Sequence, residues 1–318
     1  MAKPELRPVK QKPQIIFLVG PTAIGKSALA ISLAKKISAE IISLDSMQIY
    51  KGLRIVSSQP DMAMQKSIPH HLLGFVSPGD KFDVATYRKL ALQKIRQVHK
   101  RKKIPLFVGG TGLYMSVLID GIFEEVKKDE ALRKKLYQQE KKRGSGFLYN
   151  KLLAVDREAA AKIHPHDTRR IVRALEVYTL TGKPISELWR KRKGLSEKYE
   201  VRIFGLNKDR QELYNDINAR VETMFKEGLV AEVRKAGKKK ISLTCSQAIG
   251  LKEVRGYLEG GYDLAFAKEL MKKNTRNYAK RQLTWFRKDT RILWLDVTKV
   301  RIEDAIINEL VYAENTFS

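Results

Sequence analysis

Residues 14–19, Gln-Ile-Ile-Phe-Leu-Val, run straight into Gly20-Pro-Thr-Ala-Ile-Gly-Lys-Ser27, and that octet runs into Ala-Leu-Ala-Ile-Ser-Leu-Ala. A short β-branched run stopped by Gly-Pro reads as a buried strand. The octet fits the pattern G-x-x-x-x-G-K-[ST], and residues 26–38 after it read as a helix. Strand, glycine loop and helix in this order make an anion cradle. Gly20 and Gly25 let the backbone N–H groups of the loop (Pro21, Thr22, Ala23 and Ile24 between them) turn inward, and the helix start adds its positive end. Lys26 can neutralise an outer phosphate, and the Ser27 hydroxyl can serve Mg²⁺.

Further buried strands are predicted at 40–44, 104–108, 201–206 and 292–296, with a helix at 83–101. Strands alternating with helices predict a parallel sheet. The fold class is therefore α/β: a P-loop NTPase-like parallel sheet with helices on both faces. A long polar stretch of helical composition interrupts it. Residues 1–120 and 201–318 are predicted to form the catalytic core, and 121–200 a helical insertion domain. Gly144-Ser-Gly146 and Lys193-Gly194 read as turns or hinges. Trp285 and Trp294 read as core residues, and His164 and His166, flanking a proline, as turn residues.

A motor or ATPase needs a carboxylate at the end of a nearby strand to hold Mg²⁺ through water. The strand at 104–108 ends instead in Gly109-Gly-Thr-Gly112. The carboxylate is Asp45, after the second strand. In doubly wound sheets both positions open onto one crevice at the carboxyl ends of the strands. Asp45 would then face whatever accepts a group from the bound diphosphate, which favours a transferase. Its other reading is a turn cap.

The balance of 62 Lys+Arg against 35 Asp+Glu gives a formal charge of +27, so polyanions, nucleic acid first, are the expected partners. The single cysteine, Cys245, excludes a disulfide framework within the chain and suits a reducing cytoplasm. No apolar run is long enough to span a bilayer. The basic, proline-containing residues 1–12 read as a loose tail, 237–240 as a basic loop, and a monomer is the default expectation.

The stretches GPTAIGKS, DSMQIYKGL, PHHLLG, VGGTGLYM, RRIVRALEVYTLTGK, SQAIGLKEV and TRNYAKRQLTWFR, spread over residues 14–290, carry a closer resemblance. The chain is similar to the tRNA dimethylallyltransferases, or tRNA isopentenyltransferases. It matches the bacterial type, because one cysteine leaves no zinc finger of the eukaryotic members. That resemblance implies transfer of a dimethylallyl group from dimethylallyl diphosphate to N6 of the adenosine 3′-adjacent to a tRNA anticodon, with release of diphosphate. It places a prenyl diphosphate, not ATP, on the loop, with Mg²⁺ as cofactor.

By the same resemblance Asp45 accepts the proton, Ser46, Met47 and Gln48 line the extruded base, and Thr22 and Thr111 lie near the diphosphate. It also brings Arg220 to the reaction site and His70 to the substrate. The anticodon stem-loop would meet Arg169, Arg170 and Arg173, the Ser246-Gln247 segment, and a basic ladder through Lys268, Lys272, Arg276 and Lys280 with Arg281 and Gln282. Arg169 and Arg173 are like charges four apart, a mild strain that phosphates would relieve. The alternatives are a P-loop nucleoside or small-metabolite kinase, or a prenyltransferase acting on free adenine nucleotides.

Overall fold

The computed structural model describes residues 12–123, 126–237, 240–298 and 301–315. All but Lys12 of the expected N-terminal tail, and the middle of the 237–240 loop, lie outside these. The chain order opens with β1 (Gln14–Val19), α1 (Lys26–Lys36), β2 (Ala39–Leu44), α2 (Met62–Ser67), β3 (His70–His71), α3 (Val84–Lys100), β4 (Ile104–Gly109) and α4 (Gly112–Ile119). Helices α5 (Glu130–Arg143), α6 (Phe147–Val155), α7 (Arg157–Lys162), α8 (Thr168–Thr181) and α9 (Ile185–Arg190) follow. The chain then continues through β5 (Glu200–Asn207), α10 (Arg210–Lys226), α11 (Leu229–Gly237), α12 (Leu251–Leu258), α13 (Leu264–Phe286), β6 (Ile292–Asp296) and α14 (Ile302–Asn315).

The six strands form one all-parallel sheet in the order β3-β2-β4-β1-β5-β6. Its strands are apolar on both sides because both faces are covered. On one face Ile16, Leu18, Ile41, Leu106, Val108, Phe204 and Leu206 pack with Leu33 of α1, Ile217 of α10 and Ile306 of α14. The alternate residues Ile15, Phe17, Val19, Ile42 and Phe107 are equally buried. There Phe17 stacks on Phe107 at 4.7 Å, and Tyr87 of α3 donates its hydroxyl to the Ser43 carbonyl at 2.9 Å. The parallel sheet and its two covered faces match the sequence reading. β3 adds a strand too short to carry a pattern; it pairs Ile41 with His70 and Ile42 with His71.

Beyond the sheet, a second core joins the segment after β2 (Ile49, Tyr50, Leu53) to α10, α11, α12 and α13 through Val221, Leu229, Val233, Leu251 and Met271. These elements belong to the unit formed by Met1–Val117 and Lys198–Ser318. Leu118–Glu197 is a separate helical unit, with boundaries three residues earlier at each end than the expected 121–200. Its core is built from Leu136, Leu148, Leu152, Ile171, Leu175 and Val177. Within it the fully buried carboxylate of Glu176 takes two hydrogen bonds of 2.8 Å from Arg133, one of 2.6 Å from Arg173 and one of 2.8 Å from the Asp129 amide. Burial alone would raise the Glu176 carboxyl, but these donors hold it at about 2. The like-charge strain between Arg169 and Arg173 is thus answered inside the unit by Glu176, i+3 from Arg173. In the same unit the His166 amide donates to Nδ1 of His164 at 3.2 Å, which closes a turn.

Candidate active site

The loop after β1 turns sharply at Gly20, where φ is +151° and a Cβ would stand 2.9 Å from the Leu206 carbonyl oxygen of β5. A side chain here would push the loop off its neighbouring strand. Gly25, at φ +90°, ends the loop in the left-handed region and starts α1. Thr22, Ala23, Ile24, Gly25, Lys26 and Ser27 line a cleft of about 830 Å³ at the carboxyl edge of the sheet. Gly20 and Pro21 sit behind it, and their carbonyls accept hydrogen bonds from the Lys26 ammonium at 2.9 and 2.6 Å. Burial and the neighbouring Arg220 guanidinium lower the Lys26 pKa to about 7, against the opposing pull of Asp45.

Asp45 follows β2 and faces the same cleft. Its Oδ1 accepts from the backbone N–H of Met47 at 2.8 Å and of Gln48 at 3.3 Å. Asp45 therefore closes its turn through Oδ1 and also lines the cleft. Burial pushes the Asp45 carboxyl above the ordinary carboxylate range, although the two amides, Lys26 and Arg220 pull the other way. Arg220, on α10, is itself buried enough for its pKa to be lowered, with Asp45 opposing that shift. Lys26, Asp45 and Arg220 thus share one electrostatic neighbourhood.

The two sides of the cleft are tied together by Gln282 of α13. This side chain, only 5% exposed, accepts from the Thr22 N–H at 2.9 Å and donates to the Gly110 carbonyl at 3.0 Å. One amide of the phosphate loop is thereby committed to Gln282. The Gly-Gly-Thr-Gly segment is explained by this contact: a Cβ on Gly110 would lie 1.9 Å from the Gln282 Nε2. Thr111 Oγ1 accepts from the Ser46 N–H at 3.1 Å, and the phenol of Tyr278, which lines the cleft, is pushed up by burial and by the Asp45 charge. Gln282 thus joins Thr22 to Gly110, and the next residue, Thr111, holds Ser46, the neighbour of Asp45. Tyr278 had no place in the sequence reading. Its signal was its position four residues before Gln282, on the same helix face.

Other expected residues divide into those inside and outside the cleft. Ser46, Met47, Gln48, His70, Gln247 and Arg281 line it. Gln48 is already engaged, accepting from Ser43 Oγ at 2.8 Å and donating to the Ser58 carbonyl at 3.0 Å. Ser246 turns its hydroxyl to the Leu243 carbonyl at 2.9 Å. Along α13 the ladder is uneven. Lys268 and Lys272 both pair with Glu222, while Arg276 donates to Asn218 at 2.6 Å and leaves Lys280 exposed. Arg169 and Arg170 are exposed on α8, in the separate helical unit. Sequence reasoning missed Glu232, whose carboxylate takes the N–H groups of Ile55 at 3.0 Å and Val56 at 2.8 Å and so fixes the cleft wall at 54–60. No local signal links residues so far apart in the chain. Trp285, expected in the core, is 47% exposed.

Mg²⁺ binds through oxygen, keeping waters and one or two carboxylates beside substrate phosphates. Ser27 lines the cleft beside the phosphate loop, so its hydroxyl, with the oxygens of a bound diphosphate, fits such an ion. Among the described residues no cluster of three or more His, Cys, Asp or Glu could hold a metal by itself.

A phosphate loop and the Asp45 carboxylate lining one cleft suit group transfer from a bound diphosphate. The IPP transferase family model matches residues 48–289, and an isopentenyl transferase model matches 13–71. A tRNA dimethylallyltransferase of Carboxydothermus hydrogenoformans is 47% identical over 91% of this chain and 94% of its own length. One from Bacillus subtilis is 44% identical over 90% and 92%. Among solved structures, the full-length tRNA isopentenylpyrophosphate transferase from Bacillus halodurans is 37% identical with a TM-score of 0.70, covering 96% of this chain and 97% of that one. A eukaryotic dimethylallyltransferase acting on tRNA is 28% identical with a TM-score of 0.78, over 95% and 80%. The chain belongs to the tRNA dimethylallyltransferase family and is a prenyltransferase. Among the described residues no helix is long and apolar enough to cross a membrane.

Proposed function

We propose that the cleft transfers a dimethylallyl group from dimethylallyl diphosphate to N6 of the adenosine 3′-adjacent to the anticodon of a tRNA. The observation that carries this reading is the confrontation of Asp45 with the phosphate loop in one cleft, with Lys26 and Arg220 in the same field. The allylic C–O bond breaks and its electron pair leaves with pyrophosphate. Positive charge builds on the five-carbon fragment and negative charge on the leaving group. Loop amides, the protonated Lys26 and Arg220 stabilise that negative charge. The N6 lone pair forms the new N–C bond, and the N6 proton passes to Asp45. The raised pKa of Asp45 suits it to that proton. When bound, Mg²⁺ adds positive charge beside the departing oxygens.

The acceptor base has to leave its stack to reach the cleft, at a cost of about a few kcal/mol. The exposed cations on α13 and α8 support an RNA able to offset that cost. The test incubates the protein with dimethylallyl diphosphate, ATP and unmodified tRNA and weighs the digested nucleosides. A five-carbon gain on one adenosine that depends on dimethylallyl diphosphate is the expected result. Phosphate transfer from ATP with no gain on RNA would instead assign a kinase. A gain on free AMP, ADP or ATP with none on tRNA would assign a nucleotide prenyltransferase.

A further inference from the structure

Trp285 does not behave as its residue type predicts. It is 47% exposed, and Leu113, the residue after Gly112, is 49% exposed. The pyrrole edge of the indole rests on the Gly112 backbone: a Cβ there would lie 2.2 Å from Cδ1 and 2.4 Å from Nε1. Glycine at 112 therefore leaves room for the pyrrole side of the ring against the chain, while about half of the residue stays open. Residues 278, 281, 282 and 285 share one face of α13, by the three- and four-residue spacing of a helix. Tyr278, Arg281 and Gln282 line the cleft. Trp285 lies about 6 Å further along the axis from Arg281, one turn beyond the mouth.

The rim around this ring is cationic. Arg281 and Lys288, four before and three after it, are both exposed, as are Lys280 and Arg287. A half-open indole among guanidinium and ammonium groups has the chemistry of a stacking platform for single-stranded nucleic acid. Two exposed apolar side chains make too small a patch for a stable protein partner. We propose that Trp285 is a base-stacking platform, holding an unpaired anticodon-loop nucleotide next to the one drawn into the cleft. The proposal rests on the tRNA-modifying reading and adds to it the residue that fixes the register of the loop. Arg281 and Lys288 hold the adjoining phosphates.

The test measures binding of an unmodified anticodon stem-loop to the wild type, Trp285→Ala and Trp285→Phe. A series of stem-loops, each with one loop nucleotide made abasic, runs alongside, and pyrophosphate affinity serves as the control on the site. Trp285→Ala is expected to weaken RNA binding by about tenfold or more, in the range for loss of one aromatic–base stack. Trp285→Phe should restore most of it. Salt dependence should be unchanged, because the indole is neutral. At one abasic position the wild type and Trp285→Ala should bind alike, since that base is the one that stacks. Equal binding by Trp285→Ala, or a deficit that persists at every abasic position, would overturn the stacking alone. A wild type with no affinity for the stem-loop would overturn the tRNA reading and the platform with it. If Trp285→Ala also loses pyrophosphate affinity, the Phe variant and the abasic series still decide.

Discussion

Replacing Gln282 with alanine separates two roles for one residue. As an RNA contact, its loss would weaken tRNA binding. As the bridge seen between the Thr22 N–H and the Gly110 carbonyl, its loss would loosen the phosphate loop. Both bonds lie in a nearly dry place, with the side chain 5% exposed. Truncation orphans one donor and one acceptor, each at about 1–3 kcal/mol, and water entering the vacated space recovers part of that. A net loss of about 2–3 kcal/mol in stability follows. The loop then samples arrangements in which its amides no longer converge, so pyrophosphate affinity should fall about tenfold, equivalent to about 1.4 kcal/mol. Denaturant unfolding and isothermal calorimetry with pyrophosphate read these two quantities, and a tRNA gel shift reads the third. Gln282→Glu keeps an acceptor for Thr22 but sets an oxygen against the Gly110 carbonyl and a negative charge near the cradle. It should bind pyrophosphate more weakly than the alanine variant. Wild-type pyrophosphate affinity combined with lost tRNA affinity in Gln282→Ala would refute the bridge.

Three other outcomes are expected. Lys26, with its pKa lowered to about 7, loses its charge as pH rises through that value, so pyrophosphate affinity should decline above about pH 7; Lys26→Met, compared across the same range, should lose that component, and an unchanged profile would place the titration elsewhere. Lys280→Glu with Arg276→Glu should weaken tRNA binding and flatten its salt dependence, by about one unit of slope for each phosphate no longer neutralised; an unreduced slope in a salt titration would remove this part of α13 from the interface. Glu176, held at about 2 against an ordinary 4.5, stabilises its unit above 4.5, and that contribution is lost as pH falls toward 2. Glu176→Ala leaves Arg133 and Arg173 without their carboxylate and should cost about 3–5 kcal/mol, read by urea unfolding of the whole protein; a loss below about 1 kcal/mol would contradict the network.

The sheet was legible because its strands are short apolar runs closed by glycine or a polar residue, as at Val19-Gly20 and Val108-Gly109. The phosphate loop carried its own pattern, and Asp45 stood out as the carboxylate missing from the strand at 104–108. The charged composition of 121–200 suggested a helical insertion. What stayed hidden depends on distant pairings. Thr22 and Gln282 are 260 residues apart, and Glu232 is 176 from Val56. Thr22 reads as a loop residue, Gln282 as an RNA contact and Glu232 as a surface acid, and none of them alone announces its partner. Trp285 misled because hydrophobic character argues for burial, whereas Gly112 supports the ring from one side only. Arg173 misled because Glu176, three residues on, reads as a surface acid until the packing of α5 against α8 encloses it.

Single-turnover transfer by Asp45→Asn, timed by the mass gain on adenosine, tests the chemistry most directly. Asparagine preserves the shape of the turn but has no basic oxygen for the N6 proton. The rate should drop at least about a hundredfold, while tRNA and pyrophosphate bind as in the wild type. Transfer at the wild-type rate would mean that the proton leaves by another route and that Asp45 serves only to close its turn.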